Sequence, residues 1–102
     1  MNTTRTNIQS IVIVGRLWFD KANGNTYHTS EAIVDGESLF KTEMEYGYGE
    51  QYIETAFDKL EEMGLISREQ HANGSKDPAW RWCEGNGVKL NTQVFDVLKR
   101  DL

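Results

Sequence analysis

The sequence is poor in cysteine, in proline and in long apolar runs. It contains one cysteine and one proline among 102 residues, and no run approaches the roughly 20 apolar residues of a membrane-spanning helix. Because Cys83 is the only cysteine, the chain can form neither an internal disulfide nor a thiolate metal site. Such sparse use of cysteine is typical of a protein in a reducing compartment. Residues 1–7 are polar and lack the pattern of a signal or transit peptide. We therefore expect a cytoplasmic protein with no membrane partner, a flexible tail over residues 1–7 and a single domain over residues 8–102.

Basic residues and histidines are also scarce. Eleven lysines and arginines stand against 16 acidic residues, for a formal net charge of −5. Neutralising phosphates requires clustered basic side chains, and here they are scattered, so direct nucleic-acid binding is not expected. The two histidines, His28 and His71, lie on separate predicted elements, whereas a zinc or iron site needs three or four convergent ligands. We predict no metal, no other cofactor and, in the absence of any catalytic motif, no enzymatic activity.

The first half of the chain has the pattern of a β-hairpin followed by a third strand. Residues 8–19 are rich in apolar β-formers, and an Asn23-Gly24 turn of type I′ returns the chain into a second strand. This turn predicts that Arg16 lies opposite Glu31. Asp35-Gly36, in a loop of two residues or one with a glycine bulge, then leads to a strand over residues 39–44. The predicted core face comprises Ile11, Ile13, Leu17, Phe19, Ala32 and Val34.

The second half begins with the clearest helical pattern in the chain. Residues 50–63 have apolar side chains at helical spacing, and Gly64 is a typical left-handed stop. Residues 67–78 are polar and predict a loop. Residues 79–84 alternate tryptophan with other residues, which predicts a strand with Trp80 and Trp82 on one face, either in the core or in a binding surface. A turn at residues 85–87 leads to a short strand over residues 88–90, and Thr92 is the predicted N-cap of a final helix.

These elements predict an α+β fold. Its first part is a three-stranded antiparallel meander with the helix of residues 50–63 packed on one face, and a short β-hairpin and a C-terminal helix follow. Within the first strand, Gly15 indicates a bulge or a close approach of another part of the chain to the backbone.

The predicted helix carries an acidic stripe that continues into the preceding strand. Like charges at i,i+4 spacing destabilise a helix by about 0.2–0.5 kcal/mol per pair, and acids in the last turn oppose the helix dipole. A stripe that lowers stability suggests selection for binding a protein partner with a basic surface. The structural alternative is a solvated helix face. The candidate partner-binding residues are Glu43, Glu50, Glu54, Asp58, Glu61 and Glu62.

A second candidate site surrounds the glycine-containing turn before this helix. Free N–H groups and the dipole at a helix N-terminus favour an anion, although Glu50 would compete for the same position. With aromatic residues of the sheet, this turn predicts a site for a nucleotide-like small molecule. The structural alternative is a tight strand-to-helix turn clamped by tyrosines. The candidate ligand-binding residues are Arg16, Trp18, Tyr27, Tyr46 and Tyr48.

Three segments of the first half form a recognisable set. They are Arg16-Leu17-Trp18-Phe19-Asp20-Lys21, Gly24-Asn25-Thr26-Tyr27-His28-Thr29 and Tyr46-Gly47-Tyr48-Gly49-Glu50-Gln51-Tyr52, with Thr55-Ala56 after them. The set resembles a group of small phage and prophage proteins of unknown activity and covers residues 11–64. The chain departs from the pattern at Leu17, where a second basic residue is expected, and at Ser30, where an aliphatic residue is usual. The resemblance implies no catalytic residue. It does imply a phage-encoded accessory protein in the cytoplasm of an infected host cell.

The resemblance and the acidic stripe together predict a non-enzymatic function. By analogy with phage accessory proteins, we expect stoichiometric binding that inhibits a host defence or nucleic-acid-handling protein, such as a CRISPR effector, through the acidic helix face. The alternatives are a small-molecule or nucleotide-binding protein and a virion or assembly component. The sequence carries no signal for the oligomeric state or for the identity of the partner.

Overall fold

The fold is α+β, as predicted. A computed structural model describes residues 8–102, and the predicted tail, residues 1–7, lies outside the described residues. The elements follow in the order β1 (Ser10–Asp20), β2 (Asn25–Val34), β3 (Glu37–Lys41), β4 (Glu45–Tyr46), α1 (Gln51–Glu62), α2 (Ala79–Gly85), β5 (Lys89–Asp96) and a short 3-10 turn over Lys99–Asp101. No helix within residues 8–102 is long and apolar enough to cross a membrane.

The strands form one mixed sheet in the order β3-β2-β1-β5, with β4 also paired to β2. The antiparallel pairing of β1, β2 and β3 agrees loosely with the predicted meander, whereas β5 runs parallel to β1. A parallel neighbour needs a long crossover, and the segment that contains α1 and α2 provides it. Residues of β1, β2 and both helices share one buried cluster. Both helices therefore cover the same face of the sheet, and neither covers the opposite face.

The β1–β2 hairpin differs from the predicted register by two residues. Asp20 pairs with Asn25 and Arg16 with Thr29, so the loop contains four residues rather than two. Asp20 organises this loop, because its carbonyl accepts a hydrogen bond from Gly24 N at 2.8 Å and its carboxylate accepts one from Asn23 Nδ2 at 2.7 Å. The predicted two-residue Asn23-Gly24 turn is therefore wrong, and longer hairpin loops of this kind are common.

The predicted core face is nevertheless largely correct, because a shift of two residues returns each side chain to the same face. Ile11, Ile13, Ala32 and Val34 are fully buried, and Leu17 is partly buried against them. Phe19 is the exception, since it lies near the loop and is 53% exposed.

The second turn is the two-residue one. Asp35 and Gly36 both have positive φ angles, 50° and 85°, and Val34 pairs directly with Glu37, as in a type I′ turn. A register shift then leaves Leu39 as an extra residue in β3. The strand ends at Lys41 rather than at residue 44, and the chain pairs with β2 again only at β4.

The helix α1 and its stop at Gly64 are confirmed. The chain has a φ of 78° at Gly64, and Gly64 N donates to Glu61 O at 2.9 Å while Leu65 N donates to Leu60 O at 3.0 Å. These two bonds form a Schellman motif, which satisfies the last carbonyls of the helix. Leu65 and Ile66 then fold back onto the core.

The prediction of a close approach at Gly15 is confirmed. The ring of Tyr52, on the first turn of α1, lies where a side chain on Gly15 would be, and a Cβ there would stand 2.4 Å from Tyr52 Cγ. A glycine in the middle of β1 thus allows α1 to pack directly on the backbone of the sheet.

The last third of the chain differs most from the prediction. Residues 79–84 form a helix rather than a strand, since Pro78 precedes its first turn and Ala79 and Cys83 are buried at i,i+4 spacing. Trp82 packs edge-on against Phe57. The predicted hairpin of residues 79–90 and the C-terminal helix are therefore both wrong.

The predicted N-cap Thr92 lies in the middle of β5. This strand continues from Lys89 through Asp96, and its whole length is in register with β1. Pairing with β1 determines its conformation, and such pairing between distant segments routinely overrides local preference.

Candidate functional site

Arg68 collects three carboxylates of α1 at one point. It lies in the loop after the helix, and its side chain has 0% exposure. Its Nη1 is 2.7 Å from Glu54 Oε1, its Nη2 is 2.9 Å from Asp58 Oδ1, and its Nε donates to Glu61 Oε1 at 2.8 Å. The guanidinium also lies over the Phe57 ring, 5.5 Å from its centroid. Glu54, Asp58 and Glu61 are candidate partner-binding residues, and in the structure each is held by an internal arginine.

The spacing of the acids explains this arrangement. Residues at i, i+4 and i+7 share one helix face, and a planar guanidinium can donate to several carboxylates at once. Partial burial raises the pKa of Glu61, but hydrogen bonds from Arg68 and Lys76 outweigh this effect and hold that pKa below its usual value. The acids thus fasten the loop of residues 67–78 to the helix. The sequence contained a signal for this role, because repelling acids on one face call for a cation nearby.

A groove of 570 Å³ lies between α1 and the chain segment that joins β3 to β4. Its lining includes four carboxylates and two lysines, and these charged residues are Lys41, Glu43, Glu45, Asp58, Lys59 and Glu62. We call this feature the acidic groove. One ion pair lies along its α1 side, between Lys59 Nζ and Glu62 Oε1 at 3.6 Å. The groove therefore has an excess of negative charge that is open to solvent.

The six predicted partner-binding acids thus divide between different places. The acidic groove is lined by Glu43, Asp58 and Glu62. The Arg68 cluster contains Glu54 and Glu61. Asp58 belongs to both, because it also contacts Arg68. Glu50 lies apart, at the N-cap of α1. The acids that form one stripe in the sequence pattern therefore do not form one surface in the structure.

An aromatic cluster occupies the face of the sheet that the helices leave uncovered. Trp18 and Tyr27, paired across β1 and β2, stack with centroids 5.7 Å apart, and Tyr46 contacts Tyr27 edge-on at 5.9 Å. Lys99 Nζ lies 5.4 Å from the Trp18 ring centroid. The structure therefore brings together three of the predicted ligand-binding aromatics. Tyr48 is 72% exposed and lies outside the ring contacts of this cluster.

Arg16 lies on the same face, next to this cluster. Its Nη1 is 3.6 Å from Glu31 Oε1, so the predicted charge pair forms diagonally although Thr29 is the residue opposite. Arg16 Nη1 and Thr29 Oγ1 are buried and have no hydrogen-bond partner among the described residues. Buried polar atoms are usually hydrogen-bonded to protein or water, so Thr29 Oγ1, and Arg16 Nη1 beside its ion pair with Glu31, could each bond a polar group that reaches this face.

His28 and Cys83 are buried in the protein interior, where neither is placed to act as a catalytic group. His28 is 1% exposed; its Nδ1 donates to Gly47 O at 3.1 Å, since a carbonyl can only accept, and its Nε2 therefore accepts from Thr55 Oγ1 at 2.8 Å. Burial raises the pKa of the Cys83 thiol to about 11, which keeps it protonated and unreactive near neutral pH. Within residues 8–102, no group of three or more His, Cys, Asp or Glu residues could hold a metal ion.

No protein-family model matches the chain, and neither a curated protein nor a solved structure matches it. The resemblance of residues 11–64 to small phage proteins accordingly stays a prediction.

Proposed function

We propose that this protein acts by stoichiometric binding, with its acidic groove receiving a basic segment of a protein partner. The observation that supports the proposal is the convergence of Glu43, Asp58 and Glu62 from separate parts of the chain onto one groove with excess negative charge. Complementary charge across an interface mainly contributes association rate and specificity. A groove that concentrates carboxylates is suited to capture lysine or arginine side chains.

The Arg68 cluster supports this function indirectly. Asp58 stands at the boundary, bound by Arg68 Nη2 at 2.9 Å and also lining the groove. Its carboxylate is therefore held in position before a partner arrives. Such preorganisation lowers the entropy cost of binding.

For the biological setting, we propose a phage-encoded accessory protein that inhibits a host defence or nucleic-acid-handling protein in the cytoplasm. This setting is supported by the resemblance of residues 11–64 and by analogy. A protein that handles nucleic acid presents a basic surface to phosphates, and an acidic groove can occupy such a surface in their place.

A charge-reversal experiment tests the groove. The double variant Glu43→Lys with Glu62→Lys should retain about tenfold less partner in affinity capture from host lysate, because two attractive charges become repulsive. Both residues lie outside the Arg68 cluster, and the Lys59–Glu62 ion pair that the variant removes is exposed and contributes little to stability, so the fold should be unaffected. Capture is measured by quantitative mass spectrometry.

The matched control changes the net charge equally at exposed positions away from the groove. Glu69→Lys with Glu84→Lys should capture the same proteins in the same amounts as the wild type. Equal loss in both double variants, or loss in neither, would reject the acidic groove as the binding site.

A second candidate function is binding of a nucleotide-like small molecule by the aromatic cluster. The observation in its favour is the pair of buried polar atoms without a hydrogen bond, Thr29 Oγ1 and Arg16 Nη1, next to the stacked Trp18 and Tyr27. Aromatic faces stack on bases, with about 1–3 kcal/mol per base. An arginine beside them suits a phosphate group.

A thermal-shift screen of nucleotides tests this candidate. A ligand at 100 times its Kd should add about 2.7 kcal/mol to the free energy of unfolding, and Trp18→Leu should abolish the shift. Trp80→Leu is the control, because that tryptophan is 56% exposed and lies on the helix side of the sheet. A shift that survives Trp18→Leu would place the ligand elsewhere.

A further inference from the structure

The strand β5 is an exposed edge of the sheet without the usual protection. It stands at the end of the strand order, and seven of its eight residues are exposed. Natural edges are commonly blunted by proline, by bulges or by charges. In β5 the register with β1 is continuous, and the strand contains no proline. Its two charged residues, Lys89 and Asp96, lie at its ends.

The backbone groups that point away from the sheet can be assigned. Lys89 N donates to Gln9 O, and Val97 N donates to Leu17 O, so the odd-numbered residues point toward β1. In a strand the direction alternates from residue to residue. The N–H and C=O groups of Leu90, Thr92 and Val94 therefore point outward, to a side on which the described residues provide no further strand.

A pocket of 310 Å³ borders this edge on the helix face. Leu90 and Thr92 of β5 line it, together with Ile53 and Trp80 of the two helices. Leu90 pairs with Ile11, whose side chain is fully buried in the core shared with the two helices, which places the pocket on the helix side of the sheet. Two carboxylates, Glu50 and Glu54, also line it. No lysine or arginine is among its lining residues.

We propose that β5 and this pocket together form a docking site for an extended peptide segment that carries a lysine or arginine. The segment pairs with the outward groups of β5 as an added strand. Every second side chain of an added strand points to the helix face, so one of them enters the pocket. Pairing of the main chain gives affinity and the pocket gives specificity, as in other cases of strand addition.

The charge of the pocket selects this occupant over a second copy of the chain. A long basic side chain can lay its apolar stem along Ile53 and Leu90 and place its cation between the carboxylates. Glu50 forms no ion pair within the described residues, whereas Glu54 is already bound by Arg68. In an antiparallel pairing of β5 with its own copy, the side chains on the helix face would be Leu90, Thr92, Val94 and Asp96. None of these is a cation.

This site shares no residue with the acidic groove, so the two proposals succeed or fail separately. The probe is a short peptide of alternating threonine and valine with one central arginine, and its match has norleucine in place of arginine. Binding is followed by the NMR shifts of the protein amides. The arginine peptide should shift the Leu90, Thr92 and Val94 amides saturably, and these amides should become protected from hydrogen exchange.

Variants separate the two parts of the site. Thr92→Pro removes one outward donor without breaking a bond to β1, which edge strands tolerate, and should weaken binding at least about tenfold. Thr92→Val keeps the N–H and should bind like the wild type. Glu50→Gln leaves the backbone unchanged and should weaken the arginine peptide about threefold but not the norleucine peptide.

Three results would overturn the proposal. The first is the absence of shifts on β5, and the second is equal affinity for both peptides. The third is a change in the β5 amides with protein concentration alone, which would identify a second copy of the chain as the occupant. Unchanged melting temperatures of the variants establish that lost binding does not reflect lost folding.

Discussion

Replacing Arg68 with alanine should destabilise the protein by about 3 kcal/mol. The substitution leaves Glu54, Asp58 and Glu61 close together without a counter-charge, and removing one partner of a buried ion pair costs about 3–5 kcal/mol. The lower end applies because the side chains of Glu54 and Asp58 are 43% and 60% exposed, so water takes over part of their solvation. Urea denaturation at pH 7 measures the change.

The controls separate charge from packing. Arg68→Met keeps an apolar stem against Phe57 and should recover part of the loss, whereas Arg100→Ala, at a side chain that is 80% exposed, should change stability by less than about 0.5 kcal/mol. An effect of Arg68→Ala no larger than that of Arg100→Ala would mean that the cluster does not contribute to folding.

The same cluster predicts a dependence on pH. The pKa of Glu61 is lowered in the folded protein from its ordinary value of 4.5. A carboxyl with a lowered pKa contributes stability that is present above the ordinary value and is lost as the pH falls through the folded value. The difference in the free energy of unfolding between the wild type and Arg68→Ala should therefore become smaller as the pH falls below 4.5 and through the lowered pKa of Glu61 in the folded protein.

Gly15→Ala should destabilise the protein by about 2–3 kcal/mol. The new Cβ would lie 2.4 Å from Cγ and 2.5 Å from Cδ2 of the Tyr52 ring, and neither the middle of β1 nor the buried ring can move away freely. Overpacking of a core typically costs about 1–3 kcal/mol. The free energy of unfolding in urea gives the value.

A matched glycine and a double variant isolate the contact. Gly85→Ala should be neutral or slightly stabilising, since nothing lies within 4 Å of the added Cβ and alanine favours a helix by about 1 kcal/mol. Tyr52→Ala is destabilising by itself, but Gly15→Ala added to it should cost less than about 0.5 kcal/mol. Strictly additive costs would show that the ring and the glycine are not in contact.

Sequence patterns predict the elements whose conformation depends mainly on residues close together in the chain. The helix α1 has both an apolar stripe and a glycine stop, so its extent was predicted to within its cap residues. The two-residue loop at Asp35-Gly36 is one of the two predicted alternatives. At Asn23-Gly24 the same reasoning was wrong, because Asp20 accepts hydrogen bonds from three positions of a longer loop, and such a network is not visible as a spacing.

The last third of the chain could not be predicted from its own pattern. Alternating tryptophans at residues 80 and 82 fit a strand, but Trp82 and Cys83 both face the core in α2 while Trp80 is exposed. The segment Lys89–Asp96 is a strand only because β1 offers an unpaired edge. Conformations that depend on a distant partner carry no local signal.

For the candidate site, the residue types were predictable and their grouping was not. The acids of α1 were visible as a stripe, but Arg68 lies in a polar loop whose path the sequence does not give. Trp18 and Tyr27 were named as ligand-binding residues, and the two-residue shift of register is what pairs them across the strands. Such contacts can be predicted only when the pairing of the strands and the path of the loop that carries Arg68 are known.

Binding of a basic partner in the acidic groove can be measured as the Kd of the captured, purified partner for the wild type and for Glu43→Lys with Glu62→Lys, at low and at physiological ionic strength. Salt should weaken wild-type binding strongly. The variant should bind about tenfold more weakly at low salt, and salt should affect its binding less. The same Kd and the same salt dependence for both proteins would contradict binding in the acidic groove.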